Sequence, residues 1–228
     1  DQVTTAYYTT NSVGLGVRAT VAGGNSLYVA TGVVLGSVDQ YAVGVGGIRS
    51  GVDIYGSVHG ELGGMSVLNA TLANINVWDQ GIVGSSNEDS FGIAVNNSSA
   101  MINNFGVVSA DIGIDVLLNS DCQILNAGEI RGVTAAFDID ATAVGQLALV
   151  NNGTISSALL SSVAYHSAGD VEEIIANKGQ INGSIDLGPG RDRYTVHMRR
   201  RCRKAISQLQ AQGSKSHLSC PEVQDRTY

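Results

Sequence analysis

Three aspartates recur in one setting, each held between two apolar residues: Ile114-Asp115-Val116, Phe137-Asp138-Ile139 and Ile185-Asp186-Leu187. Asp111 and Asp140 lie near the first two. Carboxylates repeated in this way suit two kinds of chemistry. A pair with separated pKa values can act as acid and base on a sugar, and a row can gather a hard cation. Related positions hold Ala94 and Ala164, and no cluster of His, Arg and Lys accompanies the row. A solvated outer face is therefore the expectation, with a weak cation site as the alternative. His59, in Ser57-Val58-His59-Gly60, has no repeating acid partner and is read as an ordinary exposed histidine. Cys122 is read as a small buried hydrophobe. The chain lacks a G-x-S-x-G turn and a phosphate loop. The glycines at Gly14 and Gly16 approximate a dinucleotide pattern, but no helix is expected to follow them.

The elements that would position these residues come from a repeat. "NNGTISS" begins at Asn151 and "NKGQING" at Asn177. Taking the glycine of this phrase as the origin, Gly32, Gly56, Gly81, Gly106, Gly128, Gly153 and Gly179 serve in turn. Two residues later stand Val34, Val58, Val83, Val108, Ile130, Ile155 and Ile181, all β-branched. Four before the glycine stand Tyr28, Val52, Val77, Ile102, Ile124, Leu149 and Ile175; four after it, only Gly, Ser or Ala. A second alternating strand follows, from Leu15-Gly16-Val17 and Val43-Gly44-Val45 to Ile185-Asp186-Leu187, with poorer matches at Met65-Ser66-Val67 and Val163-Ala164-Tyr165. Period-two alternation signals strands with one buried face. Short strands repeating every 22–26 residues indicate a stacked coil.

The fold expected is all-β: a parallel β-helix, or β-solenoid, of about seven to eight rungs over residues 1–196. Rung length favours a right-handed coil. The zero glycine is expected to supply a positive φ. Asn104, Asn126, Asn151 and Asn177, with Asp79 earlier in the same column, should stack as a side-chain ladder.

Composition agrees with this reading. Gly 29 with Pro 2 suits many tight turns between strands that need their N–H groups. No apolar run is long enough to span a membrane, and three cysteines exclude a disulfide framework. The net charge of -7 hides a break. From His197 onward there are seven Lys or Arg and two acids, whereas the preceding residues carry six and eighteen. Residues 197–228 thus read as a separate basic tail, either disordered or forming a short helix (204–212) that caps the open last rung. No nucleic-acid partner is expected of the body.

The phrases "NAGEIRG", "NNGTISS" and "NKGQING", with "FGIAV" and "IGIDV" between them, resemble the degenerate repeats of bacterial secreted β-solenoids, such as autotransporter passengers and haemolysin-type adhesins. "LGPGRDRY" is similar to the calcium nonapeptide of haemolysin-type proteins, with Leu187 where that family has its first glycine. The resemblance implies Gly188, Gly190 and Asp192 as calcium ligands, and an extracellular or cell-surface location. It implies a structural or adhesive role without catalysis, with a protein or glycan surface as partner. The competing expectation is a carbohydrate-active β-helix enzyme, a lyase or hydrolase. Against that, the longest insertion, "GSSNEDS" after Val83, is short and polar.

Overall fold

A computed structural model describes residues 4–158 and 163–196. Among them every regular element is a β-strand, and every pairing is parallel. The chain winds into a β-solenoid of about seven turns. One face is a nine-stranded sheet running from Thr5–Tyr8 through Gly51–Ile54, Ser99–Asn104 and Asp170–Asn177 to Arg193–Val196. The other strands form a branched fourteen-stranded sheet that bends around a corner. In two turns single eleven-residue strands, Val107–Leu117 and Glu129–Ile139, run through that corner. The register shifts there between Ala110 and Ile112, so the bulge makes the bend. The proposed tail, 197–228, lies outside the described residues.

The inward residues form continuous aliphatic columns. Val58, Val83, Val108, Ile130 and Ile155 stack turn upon turn with no solvent exposure, and Ile181 closes the column at the top. A second column runs Leu27, Val52, Ile75, Ile102, Ile124, Leu149 and Ile175. Burying each such side chain contributes about 1.5–3 kcal/mol, and parallel register repeats that gain every ~4.8 Å.

Several lower-turn expectations shift by one or two residues. Leu35, not Val34, pairs with Val58, and Leu27 and Ile75 replace Tyr28 and Val77 in the second column. The corners after Val29 and Val77 are longer than the others and close with Val33 N–H to Ala30 C=O and Gly81 N–H to Trp78 C=O bonds. Counting backwards from the glycine therefore lands one residue late at Tyr28 and two late at Val77. Likewise Ala19-Thr20-Val21, not Leu15-Gly16-Val17, stacks under Val43-Gly44-Val45. Met65-Ser66-Val67 is fully in register despite its poorer match.

The zero glycines are needed for space and not for a positive φ. Only Gly32 has one, at 76°, and Val33 takes its place in the column. From Gly56 upward, each glycine lets its backbone pass close over the turn beneath. A Cβ on Gly128 would lie 2.1 Å from the Gly106 carbonyl oxygen, and one on Gly153 would lie 2.0 Å from that of Gly128.

Asn104, Asn126, Asn151 and Asn177 form the expected ladder inside the corner. The first three Nδ2 groups each donate to the Oδ1 of the turn above at 2.8 Å and also to the Glu129, Thr154 and Gln180 carbonyls, whereas Asn177 Nδ2 donates to the Tyr194 hydroxyl at 3.4 Å. Asp79 does not belong to it. Below Asn104 the column continues as Val77, Ile54 and Val29.

Candidate functional site

The outer row of the second strand is where register matters most. Its members, from bottom to top, are Thr20, Gly44, Ser66, Ala94, Asp115, Asp138, His166 and Asp186. The lower four are small and uncharged; the upper four all titrate. Tyr165 pairs with Phe137 in unbroken register, their rings 5.4 Å apart, and the sequence runs ten residues from Ile155 to Tyr165 against seven from Ile130 to Phe137. His166 therefore enters the row where the alternation suggested Ala164. The aromatic match between Phe137 and Tyr165 was the sequence signal that could have found it.

His166 Nδ1 lies 2.7 Å from Asp138 Oδ1, and both side chains are partly exposed. One turn below, Asp115 is only 4% exposed. Burial, then the neighbouring charges of Asp138 and Asp140, push its carboxyl up to about 7 against a backbone hydrogen bond from Val116. Burial and the Asp115 charge also push the Tyr41 hydroxyl up to about 12. The Thr142 hydroxyl and N–H hold the Asp140 carboxyl below its ordinary range. Asp111 accepts a bond from Thr134, and Asp186 accepts one from the Gly188 N–H. A carboxyl that keeps its proton near neutrality thus stands one rung, ~4.8 Å, from a carboxylate–imidazole pair.

A long open groove of about 1110 Å³ runs along the side of the rod. Val34 and Ile82 give it apolar ground, and Glu61, Asn87 and Arg131 give it polar edges. Arg131 is held there by the Ser109 hydroxyl at 2.8 Å and faces Glu129 at 3.8 Å. His59 lies exposed on the groove wall, where partial desolvation lowers its pKa against a backbone hydrogen bond with Gly84. The "GSSNEDS" insertion lies flat: Ser85 and Asn87 both reach back to the Glu61 carbonyl at 3.3 Å. It therefore borders the groove without overhanging it.

At the corner of the lower turns five rings stack on the outside: Tyr7, Tyr28, Tyr55, Trp78 and Phe105, with centroids 5.3–5.7 Å apart. Trp78 Nε1 donates to Asp53 at 3.0 Å. Tyr55, Trp78 and Phe105 lie almost parallel, within 14°. The inner rings cover one another's faces, while Tyr7 at the lower end is largely exposed. The stack is a structural seam.

The residues implied as calcium ligands converge only in part. Gly188 and Gly190 both have positive φ and sit tight against the Ser167 and Val171 carbonyls. Asp192 is buried, and its Oδ1 accepts the Glu173 N–H at 3.1 Å. The carboxylate thus turns into the coil. Cys122 is buried as expected, and burial pushes its thiol up to about 12, leaving it protonated. Among the described residues no group of three or more His, Cys, Asp or Glu could hold a metal, and no helix is long and apolar enough to cross a membrane.

Neither a family model, nor a curated protein, nor a solved structure matches the chain.

Proposed function

We propose that this chain is a secreted or cell-surface rod of bacterial type that acts by structure and adhesion, seating an extended partner in its lateral groove. The observation that carries this reading is the flat insertion after Val83. Among the described residues nothing built on successive turns encloses the groove. An open channel with apolar ground and polar rims suits a linear glycan or an extended peptide, gripped at many weak points. The repeat similarity to secreted solenoids supports the location.

Binding of the purified chain to insoluble glycans, with release of reducing ends or unsaturated products followed in parallel, tests the reading. Retention without product release, weakened by Ile82→Asp or Arg131→Glu, is the expected result. Sustained product release would instead establish the second reading, a carbohydrate-active enzyme. That alternative is favoured by one observation, the His166–Asp138 pair beside Asp115. It requires turnover to vanish in Asp115→Asn and His166→Ala.

A further inference from the structure

The coil has one interior position where its own rule is broken. The column Ala73, Ala100, Cys122 and Leu147 is small or apolar in every turn, and the next member is Glu173. Glu173 has no solvent exposure, and neither of its carboxylate oxygens has a hydrogen-bond partner. The Tyr165 hydroxyl and the Ser167 hydroxyl, both buried, are unpartnered as well. Asp192 is the fourth group. Arg193 pairs with Ile174, which sets Asp192 beside Glu173, and Gly190 leaves room for the turn that aims it inward.

These oxygens crowd together without bonding to one another. Burial first, and then the Asp192 carboxyl beside it, push the Glu173 carboxyl up to about 8, while the nearby Ser167 and Tyr165 hydroxyls draw it down; no contact among these groups is short and straight enough to satisfy the Glu173 oxygens fully. Among the described residues no Lys, Arg or His forms an ion pair with either acid. Buried polar groups are normally satisfied, and two neighbouring buried carboxylates need compensating positive charge. A hard cation takes oxygen ligands, and these four side chains bring their oxygens into one buried neighbourhood. Glu173 and Asp192 together supply the two negative charges that neutralise a divalent ion, and the two hydroxyls add neutral donors.

We propose that Glu173, Asp192, Ser167 and Tyr165 form an interior site for one divalent cation, with Ca²⁺ the fitting ion, that fastens the last turn onto the core. The site uses Asp192 but draws its partners from the core, not from the glycine turn at 188–190. It does not depend on the adhesive reading.

The test is thermal unfolding of the full chain, stripped with chelator and titrated with Ca²⁺ or Mg²⁺ alone. It is paired with Tb³⁺ luminescence excited through tyrosine. Ca²⁺ should raise the melting temperature by roughly 5 °C at a hundredfold excess over Kd. Glu173→Gln and Asp192→Asn should each weaken Ca²⁺ at least about tenfold. Tyr165→Phe should extinguish most of the sensitised Tb³⁺ emission, and Asp138→Asn on the outer row should change neither readout. If Glu173→Gln does not fold, Asp192→Asn decides. The proposal is overturned by an unmoved melting temperature at up to about 10 mM Ca²⁺, beyond the range of extracellular calcium modules. It is equally overturned by a shift that survives in both acid variants, which would place the ion elsewhere.

Discussion

The lower and upper halves of the rod solve the same corner differently. Below Asn104 the inward corner position holds Val29, Ile54 and Val77, and the next residue outward is aromatic in the two turns carrying Tyr55 and Trp78. From Asn104 to Asn177 the inward position is asparagine, with Val196 above them, and the residues after Asn126, Asn151 and Asn177 are Ala127, Asn152 and Lys178. Asn104, followed by Phe105, carries both devices at the junction. The aliphatic corner gains from burial inside and ring stacking outside. The asparagine corner gains from amide hydrogen bonds that also satisfy the carbonyl of the following strand. The outer row changes at the same level, from small uncharged residues to Asp115, Asp138, His166 and Asp186. The same backbone can thus be held by packing or by polar pairing, and the titratable surface and the interior acids both belong to the polar half.

The largest effect should come from the feature common to both halves. Gly128→Ala would push a Cβ against the Gly106 carbonyl, and a cost above about 3 kcal/mol or loss of folding is expected in urea denaturation. A well-folded variant of near wild-type stability would remove close backbone approach as the reason for the glycine column. Asn151→Leu comes next. It breaks the bonds from Asn126 and to Asn177 and leaves the Gln180 carbonyl without its side-chain donor. A loss of about 3 kcal/mol is expected, and an unchanged midpoint would show that the ladder contributes nothing. In the lower half, Trp78→Ala removes two ring stacks and the bond to Asp53. Its cost should be about 2 kcal/mol, read from the same denaturation curves.

The outer row should separate the halves by pH. Asp115 ionises near 3.8 when unfolded and near 7 when folded. Between those values the unfolded chain gives up a proton that the folded chain keeps. Stability therefore falls as pH rises through that window and levels off above it. Asp115→Asn should match the wild type near pH 4 and exceed it near pH 8 by roughly 4 kcal/mol. Equal pH profiles for the two proteins would refute the buried, protonated carboxyl. The smallest effect should come from Val77→Asn. It buries an amide, but it places a donor beneath Asn104 Oδ1, which has no hydrogen-bond partner. A net change under about 1 kcal/mol in melting experiments is expected; a penalty several times larger would mean that the ladder cannot be extended into the packed half.

Much of the coil was legible because each turn repeats the demands of the last. Val58, Val83, Val108, Ile130 and Ile155 had to be apolar and β-branched, and Asn126 and Asn151 had to match their neighbours, since parallel stacking places like upon like. Legibility failed where turns differ in length. The longer corners after Val29 and Val77 displaced the reading of Tyr28 and Asp79, and the three extra residues between Ile155 and Tyr165 hid His166. Glu173 drew no notice because it follows Glu172 on an ordinary-looking strand. Whether such a residue faces in or out depends on a count that a single extra residue reverses.

The amino-acid order alone determined the winding: strand period, the aliphatic columns, the asparagine ladder and the need for glycine at each corner are all local and repeated, so the evidence accumulates from turn to turn. Only the tertiary structure decided which side chains from different turns meet. The pairing of Asp138 with His166, the burial of Asp115 and the convergence of Glu173 on Asp192, Ser167 and Tyr165 each rest on register across a corner. Corner length carries no periodic signal, so it is fixed only when one turn settles on another.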